Sequence, residues 1–307
     1  MINTAVLFIV FNRPGVTAQV FEQIRRARPP RLYVAADGPR PDRPDDIEHC
    51  RLTRAVIDGV DWPCELHTRF QDENIGCRDA VSSAINWFFA NEERGIVLED
   101  DCLPESTFFG FCEQMLERYQ DDTRIGHITG TAFFDDSSLQ GIDSDYVFSR
   151  HITVWGWASW RRAWRDFDLE IPSWNGFPVE RLMPSMYPWR PERVVRAHDN
   201  TRAHTGSANA WDYQWSFTNR SQSRLAVVPR RNQIVNIGFG DGATHTRFRA
   251  WYTPRCSSPL PQTLRHPPFV VADHRYDRML STRLYPPTVI ARPLSLIKKI
   301  YKLVVRP

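Results

Sequence analysis

The sequence predicts an α/β protein, built on a mostly parallel, Rossmann-like β-sheet that is flanked by helices. Short apolar runs alternate with longer amphipathic segments through the first 130 residues, a pattern typical of repeated βαβ units. The runs are rich in β-branched residues and are too short to be helices. The chain has 307 residues, of which 42% are hydrophobic and 24% are charged, as expected for a globular protein with a sizeable core.

The first apolar run, residues 5–11, has no polar interruption, as in a strand that is covered on both faces. Residues 16–28 follow it with apolar side chains at helical spacing. Further strands are predicted at residues 32–36, 65–70, 96–98 and 125–129. Helices are predicted between these strands at residues 46–58, 77–91 and 104–119.

Three consecutive carboxylates, Glu99, Asp100 and Asp101, end the fourth predicted strand. Pro104 suits the first turn of a following helix, because no amide donor is needed there. The acids are therefore predicted at the carboxyl edge of the sheet, where open α/β sheets bind their ligands. Adjacent carboxylates repel one another, and a hard divalent cation that bridges to phosphates relieves this repulsion. A solvated acidic turn is the alternative interpretation.

Polar residues also follow the first two predicted strands, with Asn12 and Arg13 after the first and Asp37 and Arg40 after the second. Right-handed crossovers bring the ends of parallel strands to one edge of a sheet. We therefore expect these four residues to line a single crevice with the three acids. The chain has no P-loop and no serine-hydrolase elbow, and no dinucleotide-binding fingerprint follows the first strand.

The pattern changes after about residue 130. Most of the 11 Trp and 23 Pro residues lie after residue 150, which suits a loop-rich binding pocket better than a uniform core. Helices are predicted at residues 155–164, at 191–204 and from 211 onward, with a strand at 225–228 and a glycine-rich stretch at 235–245. Residues 293–307 form a short basic amphipathic segment that suits contact with an anionic membrane surface. A terminal helix docked on the core is the alternative.

The net charge of +3 is too small to indicate a nucleic-acid partner, so none is expected. The six cysteines form no CxxC pair, and reduced thiols are expected. A strand begins almost at once, without the basic region and cleavage site of a signal peptide. These features predict a cytoplasmic protein, at the inner face of the membrane if the basic segment binds there. Nothing in the sequence indicates the oligomeric state.

Six short motifs occur in a fixed order along the chain: FNRP at 11–14, ADGPR at 36–40, EDD at 99–101, GW at 156–157, WDYQW at 211–215, and NIGFG opening 236–245. In this order they resemble nucleotide-sugar glycosyltransferases of the GT-A fold. The closest resemblance is to bacterial relatives of the inverting N-acetylglucosaminyltransferase that begins complex N-glycans, the family 13 group. It covers residues 4–246 and leaves residues 247–307 outside.

The resemblance implies separate tasks for the three acids. Asp101 would bind Mn²⁺ or Mg²⁺, which holds the diphosphate of a UDP-sugar donor. Asp100 would contact the ribose, and Glu99 would lie beside the transferred sugar as a catalytic residue. At the second strand, Asp37 would accept a hydrogen bond from the uracil base.

The resemblance also places Asn12, Arg13 and Arg78 in the nucleotide-sugar site, with Arg13 near the phosphates or the base. His245 would lie in a C-terminal loop that closes over the diphosphate.

Asp212 matches the position of the general base in the inverting family. The family commonly carries a second acid directly after this base, and Tyr213 replaces it here. Trp157 and Trp211 would bind the acceptor, because apolar ring faces stack on sugars. Packing in the core is the alternative for each of these rings.

These expectations divide the chain into a nucleotide-sugar-binding half (1–130), an acceptor-binding and catalytic-base half with a Trp-rich lobe (131–250), and a C-terminal extension (251–307). The implied function is metal-dependent, inverting transfer of a sugar, N-acetylglucosamine, from a UDP-sugar to a hydroxyl of a glycan, a lipid-linked acceptor or a protein. Two alternatives stay open. One is a nucleotidyltransferase that forms sugar nucleotides, although such enzymes usually carry a glycine-rich first loop. The other is a non-catalytic carbohydrate-binding protein that uses the Trp-rich lobe.

Overall fold

The computed structural model describes residues 1–134, 138–139, 141–171, 210–239 and 253–284. Its strands are β1 (Val6–Val10), β2 (Arg31–Ala36), β3 (Glu65–Phe70), β4 (Arg94–Glu99), β5 (Cys102–Pro104), β6 (Ile125–Thr129), β7 (Tyr146–Ser149), β8 (Trp157–Trp160), β9 (Leu225–Pro229) and β10 (Ile234–Asn236). Its α-helices are α1 (Pro14–Ala27), α2 (Asp45–Ala55), α3 (Cys77–Asn91), α4 (Phe108–Arg118), α5 (Arg161–Trp164), α6 (Asp212–Ser221) and α7 (His274–Leu284). A 3₁₀ turn at Val56–Gly59 follows α2.

Eight of the strands form one sheet in the order β3-β2-β1-β4-β8-β6-β9-β7. Strands β1 to β4 pair in parallel, β8 runs antiparallel between β4 and β6, and β7 is antiparallel to β9. Because β6 and β9 are parallel to each other, six of the eight strands share one direction. The predicted α/β class with a mostly parallel sheet is confirmed. Strands from both predicted halves of the chain belong to this sheet.

The central strands are buried because helices cover both faces of the sheet. On β1, Phe8 packs in a core cluster with side chains of α1 and α4. Its neighbour Leu7 points the opposite way, into a second cluster with side chains of α3. Successive strand residues face opposite sides, so two covered faces require an apolar run without polar interruption. This is the reason that residues 5–11 show no alternation of apolar and polar residues.

Two local predictions were wrong. Pro104 does not open a helix: it ends β5, which pairs with β10, and α4 begins only at Phe108. Proline is tolerated there because a short two-stranded ribbon leaves one side of each strand without a ladder partner. Residues 157–160 form strand β8 instead of a helix, and only four residues follow as α5. Trp157 and Trp160 pack in the clusters on opposite faces of the sheet, as side chains three residues apart on a strand do, and β4 and β6 pair with the two edges of β8.

The strands predicted at 32–36, 65–70, 125–129 and 225–228 are confirmed, as is the helix at 77–91. The helix predicted at 191–204, the residue His245 and the basic segment 293–307 lie outside the described residues. Within the part of the chain that the structure describes, no helix has the length and apolar character needed to cross a membrane.

Candidate active site at the carboxyl edge of the sheet

A cavity of about 580 Å³ opens at the carboxyl ends of β1, β2 and β4. Six residues that the sequence pattern placed at one edge line it together: Arg13, Asp37, Arg40, Glu99, Asp100 and Asp101. The register explains their convergence, because β1 pairs in parallel with both β2 and β4 and all three strands end at the same level. These six residues therefore share one crevice, as their positions after the strands predicted.

Arg13 binds two of the three acids. Its Nη2 donates to the Oδ1 atom of Asp100 in a short contact and to the Oδ2 atom of Asp101 at 3.1 Å, while Nε lies 3.4 Å from Asp100 Oδ2. The side chain of Asp100 is only 4% exposed, whereas that of Asp101 is 18% exposed. Burial alone would lower the pKa of Arg13, but the charges of both aspartates outweigh it and raise this pKa. Arg13 therefore stays charged and ties the acids together.

The site disfavours the charged form of the remaining acid, Glu99. Burial, followed by repulsion from Asp101, Asp100 and Asp212, raises the pKa of Glu99 to about 8, and Arg13 opposes the increase only weakly. Burial also raises the pKa of Asp100, against the opposing effect of Arg13. The site thus concentrates more negative charge than Arg13 alone offsets, which is an arrangement that favours a bound cation.

The loop after β10 covers the acids. The Ile237 amide donates to the Asp101 carbonyl at 2.8 Å, and the Gly238 amide donates to Asn236 Oδ1 at 2.9 Å. A Cβ atom on Gly238 would lie 2.2 Å from Asp101 Oδ2 and 2.6 Å from Arg13 Nη1. Only glycine lets the backbone approach Asp101 and Arg13 this closely.

Asp37 holds a loop instead of presenting a free acceptor. Its Oδ1 accepts from the amides of Gly38 and Ile75 at 2.8 and 2.9 Å, and its Oδ2 accepts from Gly76 N at 3.1 Å and Asn74 Nδ2 at 2.8 Å. These four donors fill the four lone-pair directions of a carboxylate. The geometry therefore corrects the prediction for this residue: in this structure Asp37 positions the loop before α3 and has no lone pair left for a uracil N–H.

Asn12 and Arg40 share a buried partner, Asp46. Asn12 Nδ2 donates to its Oδ1 at 2.7 Å, and Arg40 Nε donates to its Oδ2 at 2.6 Å. The guanidinium of Arg40 also lies over the Phe11 ring, 5.4 Å from its centroid. Arg40 and Phe11 line the cavity, whereas Asn12 is not one of its lining residues and binds Asp46. The place of Asn12 in the nucleotide-sugar site stays a prediction.

Arg78 pairs with two acids that do not belong to the triplet. Its guanidinium pairs with Asp79 at 3.3 Å and makes a closer contact with Glu170, and Arg78 is absent from the cavity wall although its neighbour Cys77 belongs to it. Arg69 and Gln71 line the cavity from the end of β3 instead, although no sequence motif marked them as site residues. Their position one strand further along the same edge is the signal that would have found them.

The aromatic residues at the site also differ from those predicted. Trp157 and Trp211 are 1% and 3% exposed, and their rings stack on each other with centroids 5.9 Å apart. Both rings therefore serve the core and offer no face to an acceptor sugar. Trp155 and Phe239 line the cavity in their place, edge to face at 6.3 Å. Gly156, with φ of +57°, turns the chain between Trp155 and Trp157.

Asp212 is the first residue of α6 and approaches the site from the second part of the chain. Its negative charge contributes to raising the pKa of Glu99, and after burial and Glu99 it is the next contributor to the raised pKa of Cys77. Glu99 and Cys77 both line the cavity. A carboxylate from α6 therefore lies close enough to the acids of β4 to interact with them.

The carboxylate oxygens of Asp101 are the atoms at this edge that could hold a metal ion. Among the described residues, no three His, Cys, Asp or Glu side chains are arranged to enclose a metal ion. Asp100 is largely occupied by Arg13, so Asp101 is the more exposed of the two aspartates. Magnesium-type ions are often held by only one or two carboxylates together with substrate phosphates.

No family model matches the chain, and no curated protein matches it. Among solved structures, apo UDP-glucose pyrophosphorylase is similar at 9% identity and a TM-score of 0.40, over 76% of this chain and 93% of that one. Mouse xyloside xylosyltransferase 1 is similar at 11% identity and a TM-score of 0.38, over 73% and 84%. HddC from Yersinia pseudotuberculosis reaches 9% identity and a TM-score of 0.29, over 52% and 77%. Similarities at this level carry no argument about the chain, so its function has to be argued from the site itself.

Proposed function

We propose that this protein is a metal-dependent, inverting glycosyltransferase that moves a sugar from a UDP-sugar to a hydroxyl of an acceptor. UDP-N-acetylglucosamine is the proposed donor, and a glycan, a lipid-linked acceptor or a protein is the proposed acceptor. One observation carries the proposal: Arg13, Asp100 and Asp101 meet under the Gly238 backbone in a cavity of about 580 Å³. Cavities of this size accommodate ligands such as nucleotide sugars.

In the proposed complex, the cationic side chains of Arg13 and Arg40 face the donor. Arg13 lies beside the acids and suits contact with the diphosphate, while Arg40, stacked on Phe11, lies where a base or ribose would enter. Asp100, which is buried and bound to Arg13, orients that guanidinium. The resemblance implied that Asp100 contacts the ribose. Here we propose instead that Asp100 acts by orienting Arg13.

The residues present fit a divalent cation at Asp101. Its carboxylate is exposed to the cavity, its oxygens are the hard donors that Mn²⁺ and Mg²⁺ prefer, and the surrounding charge is predominantly negative. Asp101 would hold the ion together with oxygens of the donor diphosphate. When bound, the ion would stabilise negative charge on the leaving diphosphate as a Lewis acid.

The acceptor reacts from the α6 side. Asp212 accepts the proton of the attacking hydroxyl as general base, on the face of the sugar opposite the diphosphate, which inverts the anomeric centre. Positive charge develops on the sugar ring as the bond to phosphate breaks. Glu99 is proposed to lie beside the transferred sugar. Trp155 and Phe239 supply apolar ring surface for a sugar in place of the two buried tryptophans.

A donor panel tests the proposal. The purified chain is incubated with UDP-sugars and Mn²⁺, and hydrolysis or transfer is followed by release of UDP, with the anomeric coupling of the product read by NMR. We expect turnover with inversion, and a decrease of about 10²–10³-fold in Asp101→Ala. Unchanged nucleotide binding and turnover in Asp101→Ala would overturn the proposal, and a product with retained configuration would remove the role of Asp212.

Two further measurements address the two alternatives. Release of pyrophosphate from UTP and a sugar 1-phosphate would identify a nucleotidyltransferase. Calorimetry with a glycan in the absence of metal and nucleotide would reveal a simple carbohydrate-binding protein. Trp157 and Trp211 are buried, so among the described rings of the Trp-rich lobe Trp155 is the one that lines the cavity and would serve this alternative.

A further inference from the structure

The two outer strands of the main sheet, β7 and β3, differ in what covers their free edges. Along β7 the chain itself lies beside the strand. The Asp273 amide donates to the Phe148 carbonyl at 2.7 Å, and just before the strand the Asp145 amide donates to the Arg265 carbonyl at 2.9 Å. On the other side of the sheet, β3 pairs with β2 alone among the described residues. The outer side of β3, here named the β3 edge, is therefore bare in the part of the chain that the structure describes.

The backbone groups of β3 alternate between the β2 side and the β3 edge. The amides of Glu65 and Gln71 both donate toward the β2 side, each at 2.9 Å, so the odd-numbered residues face β2. The amides and carbonyls of the even-numbered residues Leu66, Thr68 and Phe70 consequently face outward. All three of these residues are exposed. The β3 edge thus presents a row of backbone donors and acceptors to an incoming strand.

The β3 edge lacks the usual protection of an outer strand. Natural edge strands are commonly blocked by proline, lysine, a β-bulge or a very short length. In contrast, β3 is six residues long, contains no Pro or Lys, and pairs with β2 without a shift in register. Leu66 and Phe70 are 39% and 37% exposed and add apolar surface. The strand therefore keeps the geometry that pairing with another strand requires.

The two charged side chains of β3 are arranged symmetrically about its middle. Glu65 and Arg69 lie two residues before and two residues after His67, on the same face of the strand. If two copies of β3 pair antiparallel with His67 on the two-fold axis, Glu65 of each copy lies opposite Arg69 of the other. The same register sets Leu66 opposite Thr68, so that the outward backbone groups of both strands meet. Backbone and charge therefore select the same register.

Both charged groups have capacity for a partner across the axis. Arg69 donates from Nη1 to the Ser83 carbonyl at 3.0 Å, and this neutral acceptor uses one of the five N–H donors of the guanidinium. The side chain of Glu65 is 65% exposed, and its Oε1 lies 3.0 Å from His67 Nε2 on the same strand. The second carboxylate oxygen of Glu65 is thus available to an arginine of another copy.

We propose that this protein forms a two-fold symmetric homodimer in which the β3 strands of two copies pair antiparallel about His67. The two main sheets then join into one continuous sheet. An unrelated strand would satisfy the backbone groups, but the symmetric placement of Glu65 and Arg69 favours a second copy. Pairing of one strand covers less than the roughly 800 Å² per partner of a standard interface, so we expect association in the micromolar range. Association is measured without a nucleotide sugar, so failure of the dimer would leave the proposed function untouched.

A cysteine scan locates the two-fold axis. In the background Cys64→Ser/Cys256→Ser, which removes the thiol next to β3 and the exposed thiol, Leu66→Cys, His67→Cys and Thr68→Cys are introduced one at a time. Facing residues on the axis have Cα atoms about 4.5 Å apart, which a disulfide spans, whereas a residue one position away lies more than about 7 Å from its own counterpart. We expect a covalent dimer on oxidation from His67→Cys only. Cross-linking at 66 or 68 instead, or at none of the three positions, overturns the proposal.

Sedimentation velocity of the full chain tests the role of the outward amides. We expect the wild type to dimerise as its concentration rises to about 100 µM. Thr68→Pro removes an amide that faces outward and leaves the hydrogen bonds to β2 in place, so the dimer is expected to weaken about 10- to 100-fold. Thr68→Val keeps this amide and is the matched control, expected to dimerise like the wild type. A monomeric wild type, or equal association of Thr68→Pro and Thr68→Val, contradicts the proposal.

Reversal of charge tests the register a second time. Glu65→Arg places two cations opposite each other on both sides of the axis and is expected to weaken the dimer about tenfold. The double variant Glu65→Arg/Arg69→Glu restores opposite charges and is expected to regain association. Glu117→Arg makes the same change at an exposed position on α4 and should associate like the wild type. Thermal unfolding confirms that each variant is folded, and a double variant as weak as Glu65→Arg would overturn the proposed pairing.

Discussion

The acid edge of β4 and the tryptophan cluster next to it are built from opposite kinds of residue. At the edge, Arg13, Asp100 and Asp101 form charged contacts that keep part of their surface toward a cavity. In the cluster, Trp157 and Trp215 are almost fully buried among other rings. Buried charge is costly unless it is paired, so charges at strand ends remain close to a cavity or to solvent. A large ring has no such restriction and packs wherever it fills space.

The difference predicts that cluster variants lose stability and that edge variants lose activity. The largest effect is expected for Trp215→Ala, which removes a fully buried ring that packs on Trp157 and Trp164. We expect the free energy of unfolding to fall by about 3–5 kcal/mol, measured by urea denaturation. A loss below about 1 kcal/mol would show that the ring is not part of the core.

The cluster also contains a pH-sensitive contact. His127 Nδ1 accepts from Trp215 Nε1 at 3.2 Å and its Nε2 faces the Thr153 carbonyl at 2.9 Å, so the ring is neutral. Burial lowers the pKa of His127 from 6.5 to about 4. The unfolded chain therefore binds this proton more readily, and stability is lost as the pH falls from 6.5 toward 4.

The loss from His127 alone is limited to about 3 kcal/mol, since one pKa unit corresponds to about 1.4 kcal/mol. Urea unfolding at several pH values between about 7.5 and 4.5 measures it, and His127→Asn is expected to flatten this part of the profile. His49→Gln, which removes a histidine at an exposed position, is measured beside it as the matched variant. Equal slopes for wild type and His127→Asn would contradict the buried neutral histidine.

At the edge, Gly238→Ala is expected to reduce activity with little loss of stability. The added Cβ displaces Asp101 and Arg13, and a displacement of about 1 Å at a reacting centre costs up to about 10²-fold in rate. Gly110→Ala is the control, because a methyl group added at this position on α4 would meet no atom within 4 Å. Turnover assays of both variants, with thermal unfolding, separate a site effect from a folding effect.

The smallest effect is expected for Trp155→Ala. This ring lines the cavity, contacts Phe239 and packs only from the margin against the main core, so its loss removes apolar surface for a sugar and costs less stability than the loss of Trp215. We expect KM for donor or acceptor to rise about two- to tenfold, as for the loss of one ring contact. A drop in stability as large as that of Trp215→Ala would erase the distinction between the two regions.

The same distinction explains what the sequence alone predicts. The apolar run before Glu99 and the charges after β1 and β2 predict both the sheet and the cavity edge, because strand direction and charge leave few alternatives. Trp157 failed as an acceptor residue because apolar rings serve core and ligand equally well. The helices predicted to begin at Pro104 and at residue 155 were wrong because pairing with distant strands overrides local propensity.

Asp37 and Arg78 lie between these extremes. Both were predicted in the nucleotide-sugar site as charged residues, and Asp37 does lie at the cavity edge. Their partners, the amides of residues 74–76 for Asp37 and Glu170 for Arg78, are set by loop geometry. A linear pattern of residues does not contain that geometry, so position was predicted better than role.

Calorimetric titration of UDP tests the cation role of Asp101 most directly. The wild type and Asp101→Asn are each titrated with and without Mn²⁺, and thermal unfolding confirms that both are folded. We predict that Mn²⁺ strengthens UDP binding to the wild type and leaves binding to Asp101→Asn unchanged. An equal gain in affinity for both proteins would contradict the assignment of Asp101 as the metal-binding acid.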